Sequence, residues 1–232
     1  MTNSILYFAS TYLVGSIPTG YIASKLLKKE DFFKPGERTA RRAGDVFNLL
    51  GRKIGLLVTF LDVVKGWIAV SLLINLLIGA EGHETWWIVS LGGLFVVLGH
   101  CHSVWIGFRG GRGLSVAAGV LLTLLPVPTI LACIVWGVLS FWGLSTRPGA
   151  VSAACANPLF SIAWIWWYQS DKLFYLYVVA FLSLWILYGY RSDLKGYLGM
   201  NVVLPDIQNP PVNNDPENKT KSEAQNSTQK PS

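Results

Sequence analysis

Residues 114–142, LSVAAGVLLTLLPVPTILACIVWGVLSFW, decide how often this chain crosses a membrane. The stretch is 29 residues long and carries no charge. As one helix it would extend about 43 Å at 1.5 Å per residue, too long for a hydrocarbon core of about 30 Å. Pro126 and Pro128 stand near its middle, and proline ends or kinks a helix because it lacks an N–H and crowds the preceding turn. The stretch therefore reads as two helices joined by a tight Pro126-Val127-Pro128 turn at the far side. Outward from it, apolar runs cover residues 3–24, 54–78, 86–108, 150–168 and 172–188. Together they predict an all-α membrane protein, a bundle of seven transmembrane helices.

The charges orient that bundle. The chain holds 19 Lys and Arg. With the N-terminus outside, fourteen fall in inner loops: nine between Lys25 and Lys53, then Arg109, Arg112, Arg147, Arg191 and Lys195. Only Lys172 falls in an outer loop. Basic residues gather on the cytoplasmic side, so the N-terminus is expected outside and the C-terminus in the cytoplasm. Left whole, residues 114–142 would put Arg147 on the wrong side. Trp86 and Trp87 open the third run and Trp105 closes it, about 28 Å away along a helix, which suits two interfacial belts.

Composition excludes other classes. Of 232 residues, 52% are hydrophobic and 14% charged, against about a quarter charged in soluble domains. That excludes a disordered regulator and argues against a soluble enzyme. Three cysteines, all in apolar runs, make no disulfide framework. The net charge of +6 serves membrane orientation rather than nucleic acid. The first run lacks a basic flank and a cleavage site, so it reads as a span and not a signal peptide. Residues 1–199 are expected to form the membrane domain. Residues 200–232, rich in Asn, Pro, Ser, Lys and Gln, are expected to be a disordered cytoplasmic tail.

Several groups can carry chemistry. Phe108-Arg109-Gly110-Gly111-Arg112-Gly113 leads from the inner surface into an apolar helix. Glycines let backbone N–H groups approach an anion, a helix N-terminus favours negative charge, and Arg109 and Arg112 can fork onto a phosphate. The same stretch also reads as a plain basic loop. Asp62 and Lys65 lie on one face of the second span and can pair, with a substrate role for Lys65 as the alternative. Gly15-Ser16-Ile17-Pro18-Thr19-Gly20 predicts a kink whose freed carbonyls Ser16 and Thr19 can satisfy. His100, Cys101 and His102 are too far apart around a helix to converge on a metal, and no metal is expected. His100 lies one turn before the inner boundary and can reach the glycine loop. Arg38, Arg41 and Arg42 read either as cytoplasmic charge or as an anion funnel. No nucleophile elbow or triad is present.

These segments, in this order, resemble the PlsY family of bacterial membrane acyltransferases. The resemblance covers about residues 12–198. It rests on Gly15-Ser16-Ile17-Pro18-Thr19-Gly20-Tyr21, Leu61-Asp62-Val63-Val64-Lys65-Gly66, Leu98-Gly99-His100-Cys101 through Gly113, and Thr146-Arg147. It implies transfer of a fatty acyl group from acyl phosphate to glycerol-3-phosphate, giving lysophosphatidic acid for phospholipid synthesis, with no metal or cofactor. It further implies a plasma (inner) membrane location and an active site at the cytoplasmic face. Acyl phosphate, glycerol-3-phosphate and membrane lipid are the implied partners, and nucleic acid is not one.

The site departs from the family pattern. Arg112 stands where the family has Lys, in Gly110-Gly111-Arg112-Gly113. Residues 38–45 replace the family's Ser and both Asn, and Tyr190 and Asp193 stand where it has His and Asn; only Arg191 matches there. The residues implied as catalytic are Arg112 and Asp45, with either Asp45 or the substrate phosphate accepting the hydroxyl proton. Those implied to bind substrate or phosphate are Arg109, Gly110, Gly111, Gly113, Arg41, Arg42, Ser16, Lys65, His100 and Arg191. An acyl phosphate is already activated, so positioning and charge neutralisation can supply much of the rate. The competing reading is a catalytically silent relative that binds an anionic lipid, phosphate or protein partner.

Overall fold

The structure, a computed structural model, describes residues 2–28, 51–77, 84–141, 146–168 and 173–191. The chain divides into residues 1–194 and 195–232; the second unit, with the expected tail, lies outside the described residues. So do Arg41, Arg42 and Asp45. Among the described residues the first unit is helical: α1 Thr2–Ser16, α2 Thr19–Lys28, α3 Arg52–Leu77, α4 Glu84–Cys101, α5 Leu114–Leu124, α6 Pro126–Phe141, α7 Thr146–Tyr168 and α8 Phe174–Gly189. A 3-10 turn, Val104–Ile106, follows α4. Among the described residues no strand forms, and one isolated bridge pairs Ser103 with Arg109.

Glycine sets how closely the helices approach. A Cβ on Gly15 of α1 would fall on the Val96 carbonyl of α4, and one on Gly99 of α4 would fall on the Tyr12 carbonyl of α1. The same exchange joins α3 to α5, where Gly66 meets the Val116 carbonyl and Gly119 meets the Val63 carbonyl. Small residues permit such backbone contact where lipid offers no hydrophobic drive. Around these contacts Val70, Val89, Val96, Val116, Val120 and Val179 are fully buried. Large apolar side chains cover the outside, including Leu26, Leu76, Trp166 and Tyr177, an apolar surface too extensive for a water-facing protein. Arg52–Leu77 and Gly149–Tyr168 are long and apolar enough to cross a membrane, and the other apolar helices are shorter.

Three expectations change. The first run is two helices, not one: Pro18 cannot continue the ladder, and the chain breaks at Ile17 and Pro18. The third helix stops at Cys101, so Trp105 belongs to the 3-10 turn beyond it and the tryptophan ruler overstates that helix. Residues 114–142 do divide, with Leu125 between two helices and Pro126 opening the second, where its missing N–H costs nothing. However, α5 has 11 residues, about 16 Å at 1.5 Å per residue. That is about half of a 30 Å hydrocarbon core. At the turn Leu125 and Thr129 are each 1% exposed, while Pro126 is exposed.

Candidate active site

The break after α1 exposes backbone carbonyls, and side chains from other segments satisfy them. Ser103 Oγ donates to the Ser16 carbonyl at 2.5 Å. Lys65 Nζ donates to the Ile17 carbonyl at 2.9 Å. Ser16 and Thr19, expected in that role, do otherwise: Ser16 is fully buried, and the Thr19 hydroxyl donates to Asp62 Oδ1 at 2.6 Å. Asp62 and Lys65 form the expected ion pair at 2.9 Å, with side chains 5% and 6% exposed. The ammonium also lies 3.2 Å from His100 Nδ1. A kinked first segment, α3 and α4 are thereby tied together by one buried polar cluster.

The glycine loop folds back on the end of α4. Ser103 N–H donates to the Arg109 carbonyl, Phe108 N–H to the Ser103 carbonyl, and Gly111 N–H to the His100 carbonyl. The Tyr12 hydroxyl donates to the His102 carbonyl at 2.6 Å and ties the loop to α1. A Cβ on Gly110 would fall on the His100 and Cys101 carbonyls, and one on Gly111 would strike the His100 ring. Close approach is therefore required of these glycines by the protein itself, and the Gly111 N–H already serves the His100 carbonyl. Gly113 has φ +84° and stands at the N-terminal end of α5, a left-handed turn that suits glycine.

Beside this loop lies a cavity of about 290 Å³. His100, Arg112 and Gly113 line one end with Tyr190; Ala117, Leu121, Ala132, Trp136, Ala154 and Ile186 make most of the rest. The Arg112 guanidinium carbon sits 3.9 Å from the centre of the Tyr190 ring, a cation–π distance that fixes its plane. The cavity thus joins a guanidinium, a buried imidazole and the start of α5 to a predominantly apolar chamber. It can hold an anionic head and a hydrocarbon tail in one piece.

The expected site residues do not all meet there. Arg112, Gly113 and His100 line the cavity, with Gly110 and Gly111 packed behind His100. Lys65 lies one layer back. Ser16 is enclosed at the helix break, away from the lining. Arg109 is exposed, its carbonyl held by Ser103. Arg191 is exposed, stacks on the Tyr188 ring at 4.2 Å and donates to the Tyr188 carbonyl, so the family match at this position does not line the cavity. Missing from the sequence reading were Tyr190 as a partner of Arg112, and Thr129, Asn157 and Ser183 in the cavity wall. Asn157 carried a signal, since a polar side chain inside an apolar run marks an interior or functional position.

Comparison with known proteins agrees with this architecture. The family model described as glycerol-3-phosphate acyltransferase matches residues 5–199. The glycerol-3-phosphate acyltransferase of Staphylococcus saprophyticus is 35% identical over 154 residues, covering 65% of this chain and 76% of the relative. That of Chlorobium phaeobacteroides is 36% identical over 167 residues, covering 68% and 69%. Among solved structures, the glycerol 3-phosphate form of PlsY, an integral membrane glycerol 3-phosphate acyltransferase, superposes with a TM-score of 0.69 at 28% identity, covering 85% of this chain and 93% of that one. Its lysophosphatidic acid form gives 0.68. A kinked first segment, a glycine loop against α4 and a half-polar cavity thus occur in a chain that belongs to the glycerol-3-phosphate acyltransferase family, as a membrane acyltransferase of phospholipid synthesis.

Proposed function

We propose that the protein transfers a fatty acyl group from acyl phosphate to glycerol-3-phosphate, releasing lysophosphatidic acid and inorganic phosphate. The observation that carries this is Arg112 at one end of a largely apolar cavity. A guanidinium can fork onto a phosphate while the apolar walls take the acyl chain. Anchored on Tyr190, Arg112 supplies both a positive charge and a fixed direction. Arg41 and Arg42 are assigned to the acceptor's phosphate, and the proton of the attacking hydroxyl goes to the departing phosphate or to Asp45. The reaction needs no metal or cofactor, because the donor is already activated. The bundle crosses the plasma (inner) membrane seven times, with its N-terminus outside and with the site and C-terminus on the cytoplasmic face. The fourteen-to-one distribution of basic residues supports this orientation.

The test is lysophosphatidic acid formation by purified protein in lipid, supplied with acyl phosphate and glycerol-3-phosphate. Wild type is expected to form product. Arg112→Ala is expected to lose about 10²- to 10³-fold in rate, the range for removal of one preorganised charge donor. Folded wild-type protein that makes no product would overturn the reading in favour of a silent, anion-binding relative.

A further inference from the structure

The wall of the cavity holds polar groups that the reaction leaves unused. Thr59, Thr129, Asn157 and Ser183 line it among mostly apolar neighbours. Two of the four are explained by their own helices. Thr59 and Thr129 each donate to the carbonyl four residues back, at 2.9 and 2.8 Å, the local bond that satisfies a hydroxyl in an apolar setting. Asn157 and Ser183 differ. Ser183 makes no such bond and has no other hydrogen-bond partner among the described residues. Asn157 receives the Ser161 hydroxyl on Oδ1 at 3.1 Å, which leaves Nδ2 without a partner among the described residues.

Asn157 is 7% exposed and Ser183 5%, yet neither Asn157 Nδ2 nor Ser183 Oγ is among the polar atoms sealed inside the protein. The open space these two residues line is the cavity. Polar side chains inside apolar spans are costly and mark sites of use. Helix packing accounts for Oδ1, through Ser161, and leaves Nδ2 and the Ser183 hydroxyl over. Pro158 adds an acceptor: it lacks the N–H that would close the ladder on the Ala154 carbonyl, and Ala154 also lines the cavity. Ser183 precedes Tyr190 by seven residues, about 10 Å of helix, and the Arg112 guanidinium stacks on Tyr190. With a phosphate at Arg112, an oxygen that meets Ser183 therefore sits along the acyl chain and not at its reacting end.

We propose that Asn157 and Ser183 form a subsite for an oxygen substituent on the acyl chain, so that the enzyme takes a fatty acyl donor hydroxylated near its middle. This rests on the acyltransferase reading and adds a choice of donor to it. Asn157 Nδ2–H donates to the oxygen of the chain hydroxyl. That hydroxyl has one hydrogen of its own, which Ser183 Oγ or the Ala154 carbonyl accepts. In an all-apolar chamber a hydroxyl loses its hydrogen bonds to water; here it regains them. A chain without the oxygen still fits, with water left on the two groups. Asn157 and Ser183 select the donor and touch none of the reacting atoms.

The experiment supplies the protein in lipid with palmitoyl phosphate, or with the same donor carrying a mid-chain hydroxyl, and takes the ratio of kcat/KM, hydroxylated over plain. A ratio of two donors on one preparation does not depend on how much of the protein is folded. Wild type is expected to use the hydroxylated donor at least as well as the plain one. The ratio is expected to fall about tenfold in Asn157→Leu and about threefold in Ser183→Ala, the scale of one hydrogen bond. Asn157→Leu also removes the acceptor of Ser161; should it not fold, Ser183→Ala, which leaves that bond in place, decides alone. A wild type that disfavours the hydroxylated donor about tenfold, as a chamber without polar partners would, overturns the inference. So does a ratio that neither variant moves, which leaves the two groups to water only. A folded wild type that makes no product from palmitoyl phosphate overturns the acyltransferase reading, and this inference with it.

Discussion

Asp62 is 3% exposed and Lys65 is 7% exposed, and each is tolerable only because of the other. Removing one partner of a buried pair leaves an uncompensated charge, which costs about 3–5 kcal/mol. Asp62→Asn is therefore expected to destabilise the protein by about that amount, read as an earlier midpoint in detergent unfolding. Asp62→Asn combined with Lys65→Met is expected to recover most of the loss, because no charge then remains buried. If the single variant unfolds like wild type, the pair is not what holds α3 to the kinked first segment. Arg112 gives a second residue-scale prediction. Arg112→Lys keeps the charge but loses the planar fork and the stack on Tyr190. A roughly tenfold fall in kcat/KM is expected, about 1.4 kcal/mol in the transition state, with a larger fall in Arg112→Ala. Equal rates for Lys and Ala would show that charge at this position does nothing. The Asp62–Lys65 pair was legible in the sequence because three residues apart on a helix means one face. The reach of His100 to the glycine loop was legible for a similar local reason. The Arg112–Tyr190 stack was not, since 78 positions separate the two and only the folded bundle brings α8 beside the loop.

At the scale of elements, the apolar runs marked most helices and misplaced two of their ends. Val104, Trp105, Ile106 and Phe108 are apolar enough to continue α4, yet the helix stops at Cys101. The reason lies downstream, in Gly110 and Gly111, which let the loop rest on the last carbonyls of α4 and return. Composition reports burial in lipid or protein and is silent on whether the backbone is helical there. The break at Pro18 was legible as a kink; the donors that repair it, Ser103 and Lys65, come from other elements and were not. Glycine makes the element-scale predictions. Gly66→Leu would drive a side chain into the Val116 carbonyl, so α3 and α5 must separate. An overpacking cost of about 1–3 kcal/mol or more is expected, seen as a lowered melting temperature, while Gly137→Leu, with open space at its Cβ, is expected to cost less. Gly111→Ala meets the His100 ring instead, and its damage is expected in the rate of product formation more than in stability.

The whole molecule is where span counting meets the limits of helix length. Among the described residues two helices are both long and apolar enough to cross on their own, and α5 reaches about half of a 30 Å core. Dividing residues 114–142 still matters more than how deep the turn lies. Two helices from that stretch return the chain to the side it left, whereas one would carry it across and invert everything that follows. In the proposed topology the order of charges supports the return, because Arg147 and Arg191 then join the basic side. This can be checked without reference to catalysis. A protein stripped of its three cysteines receives a single new one, either Ser170→Cys, in the sequence before α8, or Ser192→Cys, in the sequence after it. Each is exposed in intact spheroplasts to a maleimide that cannot cross the membrane. Labelling is expected at position 170 and not at 192 until the membrane is opened. The reverse pattern is what an undivided stretch demands, and it would place Arg147 and Arg191 outside. It would leave Arg112 on the inner side but move the α8 end, and Tyr190 with it, to the opposite face, which the 3.9 Å stack between them forbids. Orientation and site geometry therefore stand or fall on the same pair of labels.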